Sequence, residues 1–451
     1  MAYITKKNSF IKKIRVLLIC TGLLIISCHK KNKVDIEIGV DEYFNTMDKL
    51  TEIMVYDIFS PPVASRVYVY PNIGAYEILT QKNDSFISLS NKIKTLKPIP
   101  KIPKVVNEKV AALVAYIEIS KTLIFSKDKL TIYRDSLYTT WKTLNKSQFN
   151  KSKTYGLKVA EHIKQWIQND NYKETRTMPK YPIKISDSSK WQPTPPSYME
   201  GIEPHWNKIK TLVLDSASQF KPLNHPKFSL DKKSDFYNEL LEVYTISNDI
   251  IKKGNYSEEK EIAKFWDCNP YVSVSRGHLM FVTKKITPGA HWMGIAKIAC
   301  KQSAYNFENT VYAMTKTAIG IFDAFISCWD EKYRSNLIRP ETLINNYIDE
   351  NWKPILQTPP FPEYTSGHSV VSGCASAILT SIFGDKFSFD DDTEVPYQLP
   401  VRSFASFKEA AEEAAISRLY GGIHYKSAID KGLDQGMHLG RYVTKKIDIK
   451  K

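Results

Sequence analysis

The stretch Phe361-Pro362-Glu363-Tyr364-Thr365-Ser366-Gly367-His368 stands at the head of an apolar run that continues to Phe383. A hydroxyl and free backbone N–H groups at a helix N-terminus form an anion cradle, and a glycine there lets an oxyanion approach the backbone. His368 falls beside that cradle. Upstream lies Lys332-Tyr333-Arg334-Ser335-Asn336-Leu337-Ile338-Arg339-Pro340. Lys332 and Arg339 are about two helical turns apart, so on one continuous helix both cations project from one face. A guanidinium fork beside an ammonium suits an anion with several oxygens, and Pro340 stops or redirects the helix. Downstream, Ser417-Arg418-Leu419-Tyr420-Gly421-Gly422-Ile423-His424 ends a helix that Ser406-Phe407-Lys408-Glu409 opens as a capping box. The paired glycines let the chain turn sharply, so His424 points back toward what Arg418 holds. Three cations, two histidines, a serine and a glycine describe a pocket for a tetrahedral oxyanion.

Taken together, K-x6-R-P, S-G-H and S-R-x5-H resemble the signature of the type 2 phosphatidic acid phosphatase and vanadium haloperoxidase superfamily. Any one of the three is weak, since K-x6-R-P alone is as readily a solvated helix face. The resemblance implies that Lys332, Arg339, Ser366, Gly367 and Arg418 bind the oxygens of phosphate or vanadate. It implies that His424 bonds to phosphorus or vanadium, and that His368 is the acid–base group opposite. The fold it implies is all-α: two helical bundles of the chloroperoxidase and acid-phosphatase kind, with the oxyanion site in the C-terminal one. At 451 residues both bundles can bury substantial cores.

Residues 1–27 carry Lys6, Lys7, Lys12, Lys13 and Arg15 and then the apolar run Val16 to Ile26. A basic segment followed by a short apolar one reads as an export signal. Ile25-Ile26-Ser27-Cys28 resembles a bacterial lipobox, with Cys28 as the lipidated N-terminus of the mature chain; the alternative is an ordinary signal with a chance cysteine. Export with a lipid anchor puts the protein on a bacterial membrane, periplasmic or at the cell surface. The formal net charge of +15 falls to +10 once the five basic residues of that signal are taken off. No nucleic-acid motif accompanies the remaining charge, so attraction of small anions is the simpler consequence. Four cysteines remain in the body of the chain, Cys268, Cys300, Cys328 and Cys374. They lack close metal-type spacing, and three lie in apolar helical runs, where a buried free thiol is expected.

From residue 28 to 190 the pattern is a helical region without a chemical motif, with apolar residues at three- and four-residue steps over 105–125 and 155–167. Prolines at 179, 182, 193, 195, 196 and 204 then mark a loop or junction. Residues 191–451 form the expected catalytic domain. The phrase Trp191-Gln192-Pro193-Thr194-Pro195-Pro196, with Glu203-Pro204-His205-Trp206 and later Phe265-Trp266-Asp267, resembles bacterial vanadium haloperoxidases. His205, His278 and His291 read as packing residues. Trp329, three residues before Lys332, hangs over the oxyanion on a helical reading, and the resemblance places it with Phe361 on the halide side. Tyr271 is a further candidate for that wall. For His424 to keep a bare nitrogen, its other nitrogen needs an acceptor. Many superfamily members have an aspartate four residues later, where this chain has Ala428; Asp430, Asp267 or a backbone carbonyl are the candidates instead.

The resemblance therefore implies a haloperoxidase that oxidises halide with hydrogen peroxide, using vanadate on His424 and neither haem nor flavin. The alternatives are an exported acid phosphatase working through phosphohistidine, and an oxyanion-binding protein without turnover. No apolar run after the signal reaches the ~20 residues of a membrane span, which excludes the multi-span lipid phosphatases, and the chain is far longer than the small secreted acid phosphatases. Phe361 replaces the second histidine of algal bromoperoxidases and resembles the chloride-oxidising fungal type, yet bacterial relatives with such pockets include iodide-selective enzymes, which favours iodide or bromide. Assembly as a homo-oligomer is left open.

Overall fold

A computed structural model describes residues 35–254, 257–270, 273–276, 279–282 and 285–451. The export signal, Cys28, Tyr271 and His278 lie outside the described residues. Among those described, thirteen α-helices and two short two-stranded hairpins make up the regular structure.

Five helices form the first half: α1 (Val40–Tyr56), α2 (Pro61–Thr80), α3 (Glu108–Ser120), α4 (Lys127–Ile167) and α5 (Tyr172–Thr177). Their starts follow local chemistry. Ser60 caps α2 by accepting the Val63 N–H, with prolines in the first turn. The Asn107 side chain accepts from Lys109 and Val110 at the start of α3. Asn145, at φ −150° and ψ 89°, breaks α4 into two helices. Nearly every residue of α2 is buried, including Arg66, whose charge is met by Asp170 at 2.7 Å. A helix apolar on all sides belongs in a core.

The second half holds α6 (Asp235–Lys252), α7 (Glu258–Phe265), α8 (Pro288–Gln302), α9 (Phe307–Ser335), α10 (Pro340–Tyr347), α11 (Gly367–Phe383), α12 (Phe407–Tyr420) and α13 (Lys426–Lys446). Strand β1 (Ser273–Arg276) pairs antiparallel with β2 (Leu279–Val282), and β3 (Phe389–Asp391) with β4 (Arg402–Phe404). Helix α9 is long and apolar enough to cross a membrane, but its apolar window is wholly buried in the protein. The two helical regions share one core across the 190/191 division: Val67, Tyr70 and Ile73 of α2 join Phe322 and Ile326 of α9 in a single apolar cluster. Tyr70 and Phe322 meet edge to face at 5.9 Å.

Two features tie this core to the site. Asp323 of α9 is fully buried and accepts the N–H groups of Leu212, Val213 and Leu214 at 2.8, 2.8 and 3.0 Å. It thereby pins the irregular segment after residue 178 onto α9. Burial pushes its carboxyl up to about 6, against the pull of those three N–H groups. The second feature is the crossing of α11 and α13. Gly432, Gly436 and Gly440 lie along one face of α13, and a Cβ on Gly436 would meet the Val370 carbonyl oxygen at 2.1 Å. One on Gly440 would meet the Cys374 oxygen at 2.5 Å, and one on Gly432 the Ser366 oxygen at 3.1 Å. The two helices touch through backbone atoms, which only glycine permits. All four cysteines of the described chain are free and buried.

Candidate active site

The site is built where α9 ends, α10 and α11 begin, and α12 turns into α13. The expectation that Lys332 and Arg339 share one helix face is not met. Asn336 closes α9 in the left-handed conformation (φ 50°, ψ 39°), its N–H bonded to the Lys332 carbonyl at 2.9 Å. Arg339 is instead the N-cap of α10, with Pro340 in its first turn. The intervening turn is held from outside, because Asn336 O accepts from Trp191 N and Ile338 N donates to Ser189 O, both at 3.0 Å. The cations converge all the same. Lys332 Nζ lies 5.0 Å from the centre of the Phe361 ring and Arg339 Cζ 5.1 Å from it.

Both cations are fully buried and spend donors on the loop they flank. The Lys332 ammonium donates to the carbonyls of Pro362 (3.1 Å), Glu363 (3.0 Å) and Thr365 (2.5 Å). Arg339 donates Nε–H to Phe361 O at 3.0 Å and Nη1–H to Ile423 O at 2.8 Å, while Nη2 has no partner among the described residues. Burial brings the Lys332 ammonium down to about 7 and the Arg339 guanidinium to about 10. A group held this way favours any anion that restores its charge balance.

His424 is 2% exposed, and its two nitrogens have different neighbours. Nδ1 lies 2.7 Å from Oε1 of Glu363, and Nε2 lies 3.1 Å from Nη1 of Arg339. Arginine donates and cannot accept, so Nε2 carries the lone pair and Nδ1 the hydrogen. Glu363 Oε1 also accepts the Tyr425 N–H at 3.0 Å, while Oε2 has no partner among the described residues. Burial pushes Glu363 up to about 8, with Arg339 and then Lys332 pulling against it. Burial, then Arg339, Lys332 and Arg418, holds His424 well below the usual imidazole range, so its ring is neutral at ordinary pH. This is the state a nucleophile or metal ligand requires.

Glu363 is thus the residue that sequence reasoning missed, although it sits inside the deciding stretch. The two acidic candidates are placed elsewhere. Asp430 is on the surface, paired with Lys426 four residues before it. Asp267 pairs with Lys285 and lies near Arg418, whose charge it supports, away from His424 Nδ1.

Ser366 caps α11 by accepting the Ser369 N–H at 3.3 Å, and its own N–H is bound by Ala428 O at 3.1 Å. Gly367 is the first helical residue; a Cβ there would come 3.7 Å from the Trp329 ring and 3.9 Å from Lys332 Cε. His368 follows, half-buried, with Nε2 shielded and without a partner among the described residues. Burial and then Arg418 hold it well below the usual imidazole range, with a bond to the Trp266 backbone pulling the other way. Arg418 is 1% exposed and is braced by Ser417 Oγ at 2.9 Å and Ala263 O at 3.1 Å.

Gly367, His368, Ile423 and His424 line a cavity of about 30 Å³ whose other wall is Phe325, Trp329 and Phe361. That is room for a water or two. Trp329 and Phe361 meet at 5.1 Å, and Trp329 Nε1 donates to Ile202 O at 3.1 Å. His205, read from sequence as structural, bonds Pro179 O at 2.7 Å and stands outside the site.

Residues 312–449 match the second helical-bundle domain of the vanadium chloroperoxidase family. A bacterial vanadium-dependent iodoperoxidase of known structure is 58% identical, with a TM-score of 0.90 over 93% of this chain and 99% of that one. Two structures of bacterial vanadium-dependent chloroperoxidase, holo and apo, are 15% identical with TM-scores of 0.68 and 0.65. They match over 92% and 89% of this chain and 98% and 97% of theirs, and share the fold. No curated protein matches. With the identity to the iodoperoxidase extending over nearly the whole chain, and a neutral histidine facing buried cations at the centre of the fold, the chain belongs to the vanadium-dependent haloperoxidases.

Proposed function

We propose that this haloperoxidase oxidises iodide, and bromide less readily, with hydrogen peroxide. The observation that carries the reading is His424. Its tautomer is set by Glu363 on one side and Arg339 on the other, with Nε2 directed at the guanidinium and the ring lining the apolar cavity. The group implied by the family fits what is present. Arg339 Nη2 is a buried donor with no partner among the described residues, and His368 Nε2 is a buried nitrogen in the same condition beside the cavity. An oxyanion answers the first and a protonated oxygen the second.

His424 Nε2 would hold vanadate, with Lys332, Arg339, Arg418, Ser366 and the Gly367 N–H disposed to take its oxygens. Bound there, vanadate supplies Lewis acidity toward hydrogen peroxide without changing oxidation level. His368, kept neutral by burial, accepts at Nε2 the proton that hydrogen peroxide gives up. Arg339 and Lys332 stabilise the negative charge that remains, in a site closed to bulk water. Trp329 and Phe361 give the halide a large polarisable wall, which suits a weakly hydrated anion over chloride, and the iodoperoxidase relative points the same way.

The test is made on the soluble form starting at His29, stripped of phosphate and titrated with orthovanadate. Oxidation that depends on vanadate and falls from iodide to bromide to chloride is expected. Hydrolysis of a chromogenic phosphate ester by the vanadate-free protein, with no halide oxidation, would overturn the reading. Export and anchoring through Cys28 belong to the same proposal, supported by the basic and apolar segments before Ile25-Ile26-Ser27-Cys28. Labelled fatty acid should enter the full chain in a bacterial host and fail to enter Cys28→Ala.

A further inference from the structure

Behind the oxyanion residues, Cys268, His291 and Glu394 meet in the interior. They are the one group of metal-ligating side chains, among the described residues, whose donor atoms all lie within 4.8 Å of one another. Three separate parts of the chain bring them there. Cys268 follows α7, His291 lies in the first turn of α8, and Glu394 follows β3. Cys268 Sγ is 3.5 Å from His291 Nδ1, Nδ1 is 3.3 Å from Glu394 Oε1, and Sγ is 3.8 Å from the same oxygen. Tetrahedral zinc, with bonds of ~2.3 Å to sulfur and ~2.0–2.2 Å to nitrogen and oxygen, sets its ligand atoms roughly 3.3–3.6 Å apart. The observed triangle has nearly those dimensions.

The far side of the histidine is an independent sign. His291 Nε2 lies 2.8 Å from Asp391 Oδ2. The other oxygen of Asp391 accepts the N–H and hydroxyl of Thr393 at 3.0 and 2.6 Å, so this carboxylate is fixed and can only take the Nε2 hydrogen. A carboxylate bound to the outer nitrogen is how metal-bound histidines are normally held. Trp266 stacks on the ring at 4.4 Å and 17°, fixing its plane. With Nε2–H given to Asp391, three electron-rich atoms, Nδ1, Sγ and Oε1, face one another on side chains at most 4% exposed. Their contact requires positive charge between them. Two protons, giving imidazolium and thiol, meet the requirement; so does one divalent cation on imidazole and thiolate. Either way the two carboxylates leave the four side chains at a net −1, so the cation replaces two protons without changing the buried charge.

We propose that Cys268, His291 and Glu394 bind a divalent cation of the zinc class, with Asp391 holding His291 from outside and a fourth position left to water. Binding releases two protons, one from the thiol and one from the imidazolium, and no redox partner is needed. The mixed sulfur, nitrogen and oxygen donor set suits zinc over magnesium or calcium. The site clips three distant segments together immediately behind the oxyanion pocket. Cys268 lines the same cavity as His368, and Trp266 touches both His291 through its ring and His368 through its backbone. The ion is therefore a structural clip for the Trp266–Cys268 segment, whose backbone holds His368.

The test uses the full chain, treated with chelator and kept free of vanadate, and titrated with cobalt(II). One equivalent should give the visible bands of tetrahedral cobalt together with a thiolate-to-cobalt band in the near ultraviolet, and zinc should displace both. Cys268→Ser, nearly isosteric, should lose the near-ultraviolet band. Asp391→Asn should keep it and weaken cobalt binding ~10–100-fold. Absence of the near-ultraviolet band in the wild-type chain overturns the proposal, as does its survival in Cys268→Ser. Unchanged affinity in Asp391→Asn overturns the part assigned to that carboxylate.

Discussion

Replacing Glu363 by glutamine separates charge from hydrogen bonding at the centre of the site. Glu363 Oε1 takes two N–H groups, from His424 Nδ1 and from Tyr425, and Oε2 takes none among the described residues. A glutamine can present its carbonyl oxygen to both donors, so the tautomer of His424 survives and, above about pH 8 where Glu363 is ionised, only the negative charge is lost. A hydrogen bond to a charged partner contributes ~1.5–3 kcal/mol and a neutral one ~0.5–1.5. The difference, about 1–2 kcal/mol, is the support withdrawn from Nε2 as a ligand, and it corresponds to roughly 5–30-fold in affinity. The same substitution reduces repulsion toward every bound anion, which works in the opposite direction. Sulfate, which forms no bond to the ring, feels only that second effect, whereas vanadate feels both. Above about pH 8 the ratio of vanadate to sulfate affinity is therefore the quantity that should fall ~5–30-fold. Vanadate affinity comes from the concentration that restores iodide oxidation, and sulfate affinity from its competition. Asp430→Asn, at the surface pair with Lys426, should leave the ratio unchanged. An unaltered ratio in Glu363→Gln would refute the orienting role.

Three further outcomes follow from the geometry. Above about pH 7 the Lys332 ammonium loses its charge, and Glu363 becomes ionised around 8, so both changes weaken anion binding as pH rises. Sulfate, a constant dianion, should bind more weakly by up to about tenfold per unit from pH 7 to 8 and more steeply above, measured calorimetrically, with Glu363→Gln removing the added steepness. Gly436→Ala drives a methyl into the Val370 carbonyl, where backbone cannot yield; it should lower stability to urea by ~1–3 kcal/mol and weaken vanadate retention as the start of α11 moves. Trp329→Phe removes the bond to Ile202 O and thins the halide wall. It should raise the KM for iodide several-fold, with vanadate affinity changed less than twofold; a larger loss of vanadate would place Trp329 among the oxyanion residues.

The convergence of the proposed oxyanion residues was legible because few other arrangements use their chemistry. Lys332, Arg339, Ser366, Arg418 and His424 are side chains that rarely enter a core, and all five are buried here. What escaped the sequence has physical reasons. Asn336 was a usable signal that α9 stops before Arg339, since asparagine tolerates the left-handed turn at a helix end. The acceptor for His424 was sought after the histidine in sequence, whereas Glu363 comes 61 residues before it and reaches it only because Lys332 gathers the loop between. Gly432, Gly436 and Gly440 repeat every four residues, but the spacing names a face without naming its partner. Asp323 reads as one acid in an apolar helix, and only the fold reveals the three N–H groups it serves.

The backbone contact between α11 and α13 bears on how such a protein can diverge. The two helices that fix the Ser366 end of the pocket meet without intervening side chains, so a substitution at that seam meets peptide groups that cannot yield. The proposed halide wall rests on the side chains of Trp329 and Phe361, which stand apart from the seam. Drift is thus asymmetric. On the proposed reading, substitutions of those rings would alter halide choice while leaving the seam, and with it the Ser366 end of the pocket, in place.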